Sequence, residues 1–140
     1  MAKTNMSKQT KLIRQIRQNI VQEQAVYLLH DFAGAETDEL RQAIMWLVDN
    51  LELIEIAPDM YTPSRVNRLT RKVMPSHSLD SIVIAVLERH RVPYEFYGLT
   101  KTYLEGKANQ IPAKMQIRTF EKLPFTIAVN GEDITPTYKS

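Results

Sequence analysis

Arg65, Arg68, Arg71 and Lys72 place four basic side chains within eight residues, with no acid between them. Such groups neutralise phosphates, and phosphate contact supplies most sequence-independent affinity for nucleic acid. A solvated linker would carry the same residues. Arg41 and Gln42 are the types that read guanine and adenine edges, although on an exposed helix face they are also ordinary solvent residues. Further bases, Lys3, Lys8, Lys11, Arg14 and Arg17, occupy the first twenty positions without a carboxylate. Against them stands an acidic block, Asp31, Glu36, Asp38, Glu39, Asp49, Glu52, Glu55 and Asp59, in which Arg41 is the single base. The formal net charge of +2 hides this sorting. Alternating positive and negative patches steer association more than the net charge does.

Other chemistries find little support. His30, His77 and His90 are dispersed, without His, Cys or acidic partners at metal-ligand spacing. The chain contains no cysteine, which excludes disulfides, thiolate metal sites and thiol nucleophiles. A Gly-rich phosphate loop, a Gly-x-Ser-x-Gly elbow and a His-Glu-x-x-His pair are all missing. Neither enzyme activity nor a cofactor or metal is expected. Glu52 and Glu55 read as edge charges that discourage strand pairing. Trp46 reads as a core anchor; exposed beside Met45, it would instead point to a protein interface. The aliphatic run Ile82 to Leu87 is too short to span a bilayer. Together with a polar N-terminus, it leads to the expectation of a soluble cytoplasmic protein.

The 140 residues suffice for one domain or two small ones, and 44% hydrophobic with 24% charged residues is a globular balance. Leu12, Ile13, Ile16 and Ile20 predict a helix from about Ser7 to Val21 with a basic back. A short strand over Ala25 to Leu28, a brief helix from Leu29 through Phe32 and an Ala33-Gly34-Ala35 turn follow. Thr37 is then expected to cap a helix that buries Leu40, Ile44, Leu47 and Val48. Leu51 to Ile56 and Met60 to Thr62 read as strands joined at Pro58-Asp59. This order of elements is that of a winged helix-turn-helix. Pro63 to His77 reads as a linker or a poorly packed helix. Ser78 caps a helix carrying Leu79, Ile82, Val83, Val86 and Leu87, and Tyr97 to Leu104 is a further short helix. Strands are expected over Lys114 to Thr119, Phe125 to Val129 and Ile134 to Tyr138, with Asn130-Gly131 as a hairpin turn.

Asp31-Phe32, Leu40 through Leu47, and Ile54 through Pro63 resemble the N-terminal winged helix of AbiEi-type antitoxins of type IV toxin–antitoxin systems. Asp80, Ile82 and Ala85, then Tyr97-Gly98-Leu99, then Asn109 to Lys114, resemble the second half of that family. The resemblance implies an N-terminal half that binds operator DNA and represses its own operon. It also implies a C-terminal half, here shorter than the family's, that helps to counter a nucleotidyltransferase-like toxin. Two departures bear on DNA reading. Trp46 stands where the family tends to place an arginine, and Ile56 to Met60 lacks the family's basic residue and glycine before the wing tyrosine.

The resulting expectation is an α+β protein with a winged helix-turn-helix over 1–63, a basic linker over 64–77 and a small helical plus antiparallel-sheet subdomain over 78–140. Double-stranded operator DNA is the expected partner, contacted by Lys8, Lys11, Arg14, Arg17, Arg41, Gln42, Arg65, Arg68, Arg71 and Lys72. A cognate toxin and a homodimer accompany that reading. The competing expectation is a winged-helix scaffold that captures a basic protein through Glu36, Asp38, Glu39, Met45, Trp46 and Asp49.

Overall fold

The computed structural model describes residues 8–20, 24–32, 37–107 and 115–139 of a mixed α+β chain. The chain divides into two compact units, Met1–His77 and Ser78–Ser140.

In the first unit, α1 (Lys8–Ile20) buries Leu12, Ile13 and Ile16 on one stripe and leaves Lys11, Arg14 and Arg17 outside. The last carbonyls of a helix need external donors. Here the Tyr27 hydroxyl lies 3.2 and 3.1 Å from the Asn19 and Ile20 carbonyls. Tyr27 opens β1 (Tyr27–Leu28), which runs into a single 3-10 turn, Leu29–Asp31. The Asp31 carboxylate accepts the Leu28 N–H at 2.8 Å and fixes that turn. Helix α2 (Thr37–Asp49) buries Leu40, Ala43, Ile44 and Leu47. Its described part begins at Thr37, and Glu36 before it lies outside the described residues. Leu12, Ile13, Ile16, Tyr27, Phe32, Leu40, Ala43, Ile44, Leu47, Leu53 and Tyr61 form one apolar core.

Strands β2 (Leu53–Ala57), β3 (Met60–Val66) and β4 (Val73–Pro75) complete the unit. The sheet order is β1-β3-β2, all antiparallel, with β4 pairing to β3. The expected linker is therefore corrected. Residues 64–75 form a hairpin in which Ser64 faces Pro75, Arg65 faces Met74 and Val66 faces Val73. The prolines that suggested a break are accommodated. Pro75 ends a strand of three residues, and the Pro63 carbonyl still accepts the Ser76 N–H at 2.9 Å. A proline withdraws a donor from a ladder but leaves its acceptor in place.

In the second unit, Ser78 caps α3 (Leu79–Arg89), its hydroxyl accepting the Ser81 N–H at 3.1 Å. Ile82, Val83, Val86 and Leu87 are buried, as the spacing requires. Next come β5 (Tyr94–Phe96), α4 (Gly98–Leu104) and β6 (Ile117–Thr119). Asn130 and Gly131 have φ of 51° and 86° and close a hairpin between β7 (Ala128–Val129) and β8 (Glu132–Asp133). The return is shorter than expected. β9 (Thr137–Tyr138) leaves that hairpin and pairs in parallel with β6, so the sheet β5-β6-β9 is mixed rather than antiparallel. Pro136 separates β8 from β9 and cannot donate to a continuous ladder.

Candidate nucleic-acid interface

The turn that closes the β3–β4 hairpin is built around Asn67. Its side-chain oxygen accepts the N–H groups of Leu69 (2.9 Å) and Thr70 (3.1 Å), the local bonding through which Asn favours turns. The Asn67 N–H donates to the Lys72 carbonyl (2.8 Å), and the Asn67 carbonyl accepts the Arg71 N–H (2.7 Å). Arg71 turns the chain at φ 59°. Arg65, Arg68, Arg71 and Lys72 are all exposed on this hairpin. Among the described residues no carboxylate lies within ion-pair distance of any of the four.

Other expected contact residues are engaged elsewhere. Arg17 makes a two-point bond to Glu52 at 2.8 and 2.7 Å, and its guanidinium lies 5.2 Å from the centre of the Trp46 ring. Glu52 is thus an ion-pair partner of α1 rather than an edge charge. Arg41 grips Asp59 in the β2–β3 turn at 3.3 and 2.8 Å. The bond to Glu52 raises the Arg17 pKa, and the bond to Asp59 raises that of Arg41, so both remain fully charged. Close by, burial together with Glu55 and Asp59 pushes the Tyr61 phenol up to about 12.

Strand β3 separates these groups. The β2–β3 turn that holds Arg41 lies before Met60, while the Asn67 turn lies beyond Val66. Six residue steps at about 3.3 Å put the two turns roughly 20 Å apart. The end marked by Arg41 is acidic, with Asp38, Glu39, Glu55 and Asp59. The end marked by Asn67 is basic. The structure therefore separates Arg41 and Gln42 from the Arg65 to Lys72 group, which the sequence reading had joined in one surface. Ile20 and Arg17 line a cavity with Glu52, Pro63, Ser64, Ser76 and His77, which sets the C-terminal end of α1 beside the root of the basic hairpin. Lys11 and Arg14 lie further back along α1 and are exposed. Lys8 begins α1, but its side chain lies outside the described residues, as do Glu36, the Ala33 to Ala35 turn and the Asn109 to Lys114 stretch.

The outer face of α2 carries Asp38, Glu39, Arg41, Gln42, Met45, Trp46 and Asp49, all exposed. Trp46 is not a core anchor. It keeps 38% of its surface in solvent and Met45 keeps 43%, because the core stripe of α2 falls on Leu40, Ala43, Ile44 and Leu47. Sequence reasoning missed Asn67 and Leu69, which shape the basic turn. The signal was a local one: an Asn followed two and three residues later by N–H groups it can accept.

Among the described residues no group of His, Asp or Glu side chains could hold a metal ion, and no helix is long and apolar enough to cross a membrane. Compared with protein-family models, with curated proteins and with solved structures, the chain has no match.

Proposed function

We propose that the chain is an AbiEi-like regulator that binds duplex operator DNA through a winged helix in its first unit. Its main phosphate contacts are made by the β3–β4 hairpin. The order of helix, strand, helical turn, helix and hairpin supports the winged-helix reading, as does the sheet order β1-β3-β2. The observation that carries the DNA reading is the group of Arg65, Arg68, Arg71 and Lys72. These cations sit on a turn fixed by Asn67 and have no carboxylate partner among the described residues. Cations left unneutralised by the protein itself are available to replace the counterions of a polyanion. Arg41 and Gln42 fit base reading less well, since Arg41 is committed to Asp59 and acidic neighbours surround both.

A direct test is fluorescence anisotropy of the full chain with the duplex upstream of its own gene, at several salt concentrations. Binding that weakens steeply with salt supports the reading. Absence of binding at 10 mM salt, a concentration at which fields reach roughly 30 Å, overturns it.

A second reading is favoured by one observation. Met45 and Trp46 stand exposed on a helix face that also carries Asp38, Glu39 and Asp49. Trp and Met are enriched at interface cores, and the surrounding acids suit a basic protein partner, such as a toxin with a nucleic-acid-binding groove. The two readings use different elements of the unit, the β3–β4 turn and the outer face of α2, so one chain can serve both.

A further inference from the structure

Leu69 is 94% exposed, more than any other large apolar side chain among the described residues. It stands at the apex of the Asn67 turn, and its own N–H is bound to the Asn67 side chain. The turn is closed by two further backbone bonds, Asn67 N–H to the Lys72 carbonyl and Arg71 N–H to the Asn67 carbonyl. The leucine is thus held in water by a fixed framework rather than by a loose loop. Arg68 precedes it, and Arg71 and Lys72 follow it closely. An apolar point flanked by cations matches a site with an apolar interior between two anionic rails. Stacked base pairs between the phosphate backbones of a minor groove are such a site, and side chains such as leucine can be wedged there between base steps.

We propose that the 67–72 turn enters the minor groove of duplex DNA and that Leu69 wedges into a base step, while Arg68, Arg71 and Lys72 hold the phosphates on either side. This deepens the DNA-binding reading and rests on it. Pyrimidine–purine steps, which unstack most easily, are the favoured points of entry.

The test uses the full chain and a 30-base-pair duplex with a central TATA run, in which 2-aminopurine replaces each central adenine in turn. The comparison is with Leu69→Ser, which changes one exposed residue and leaves the Asn67 bonds intact. The expected result is a several-fold rise in 2-aminopurine fluorescence at one step on binding the wild type. Leu69→Ser should keep the salt dependence of binding and lose that rise. If the wild type binds with steep salt dependence while every 2-aminopurine stays quenched, the wedge is overturned and the DNA reading stands. If the wild type does not bind the duplex at 10 mM salt, both fall. A third arm offers vesicles of phosphatidylcholine with phosphatidylserine. Vesicle binding that Leu69→Ser abolishes, together with a silent duplex, would make a lipid surface the occupant and overturn the proposal.

Discussion

Replacing Arg65, Arg68, Arg71 and Lys72 together with glutamine removes the cations of the basic hairpin and little else. None of the four has an ion-pair partner among the described residues, and all are exposed, so folding stability should change by no more than about 0.5 kcal/mol. The effect on DNA binding should be far larger. Each neutralised phosphate contributes about 0.9 to the slope of log affinity against log salt, so four contacts contribute about 3.6. Over a fourfold salt range, from about 50 to 200 mM, that slope amounts to roughly 2.2 decades, or about 150-fold in affinity. Fluorescence anisotropy at four salt concentrations would measure the slope for the wild type and the variant. Arg41→Gln serves as the control, since the Arg41 guanidinium is held by Asp59 at the other end of β3. It should change the slope by less than about 1. A slope that survives loss of all four hairpin cations, or one that drops as much with Arg41→Gln, refutes the reasoning.

Three further outcomes follow from other parts of the chain. Asp38→Lys with Glu39→Lys reverses charge roughly 20 Å along β3 from the basic turn. It should strengthen DNA binding near 10 mM salt and have little effect near 150 mM, where screening acts within about 8 Å; an equal gain at both concentrations would place DNA on α2. Gly98→Ala should destabilise the second unit by about 2–3 kcal/mol in urea titrations while sparing DNA binding. Gly98 has φ 60°, and a Cβ there would meet the Gln116 side chain, whose oxygen accepts the Leu99 N–H at 2.7 Å; an unchanged midpoint contradicts this. Glu95 hydrogen-bonds Arg118 at 2.6 Å, which holds its carboxyl below the ordinary value of 4.5. Its contribution to stability is present above that value and is lost as pH falls through the depressed folded value. Glu95→Gln should flatten that acid limb, and an unaltered limb would show that the pair contributes nothing to it.

Helices α1, α2 and α3 were legible because each buries a clear apolar stripe. Leu12, Ile13 and Ile16, then Leu40, Ile44 and Leu47, then Ile82, Val83, Val86 and Leu87 repeat at helical spacing, and all are buried. The Asn130-Gly131 turn was legible because few residue pairs adopt positive φ readily. The β3–β4 hairpin was not legible. None of its paired residues, 64–66 and 73–75, is fully buried, so no apolar alternation marks them, and Pro63 and Pro75 read as breakers when only their acceptors were needed. The parallel pairing of β9 with β6 depends on contacts distant in sequence, which local patterns do not encode. At the candidate site, the basic residues themselves could be named in advance. Their division between the two ends of β3 could not, because it follows from strand register and from the Arg41–Asp59 and Arg17–Glu52 pairs.

The most direct test of where DNA meets the protein is amide chemical-shift mapping by NMR on the full chain, titrated with the upstream duplex at low salt. The expected result is that perturbations concentrate on Arg65 to Val73 and leave Asp38 to Trp46 close to their free positions. Shifts concentrated on Asp38 to Trp46, with the Asn67 turn unchanged, would contradict it.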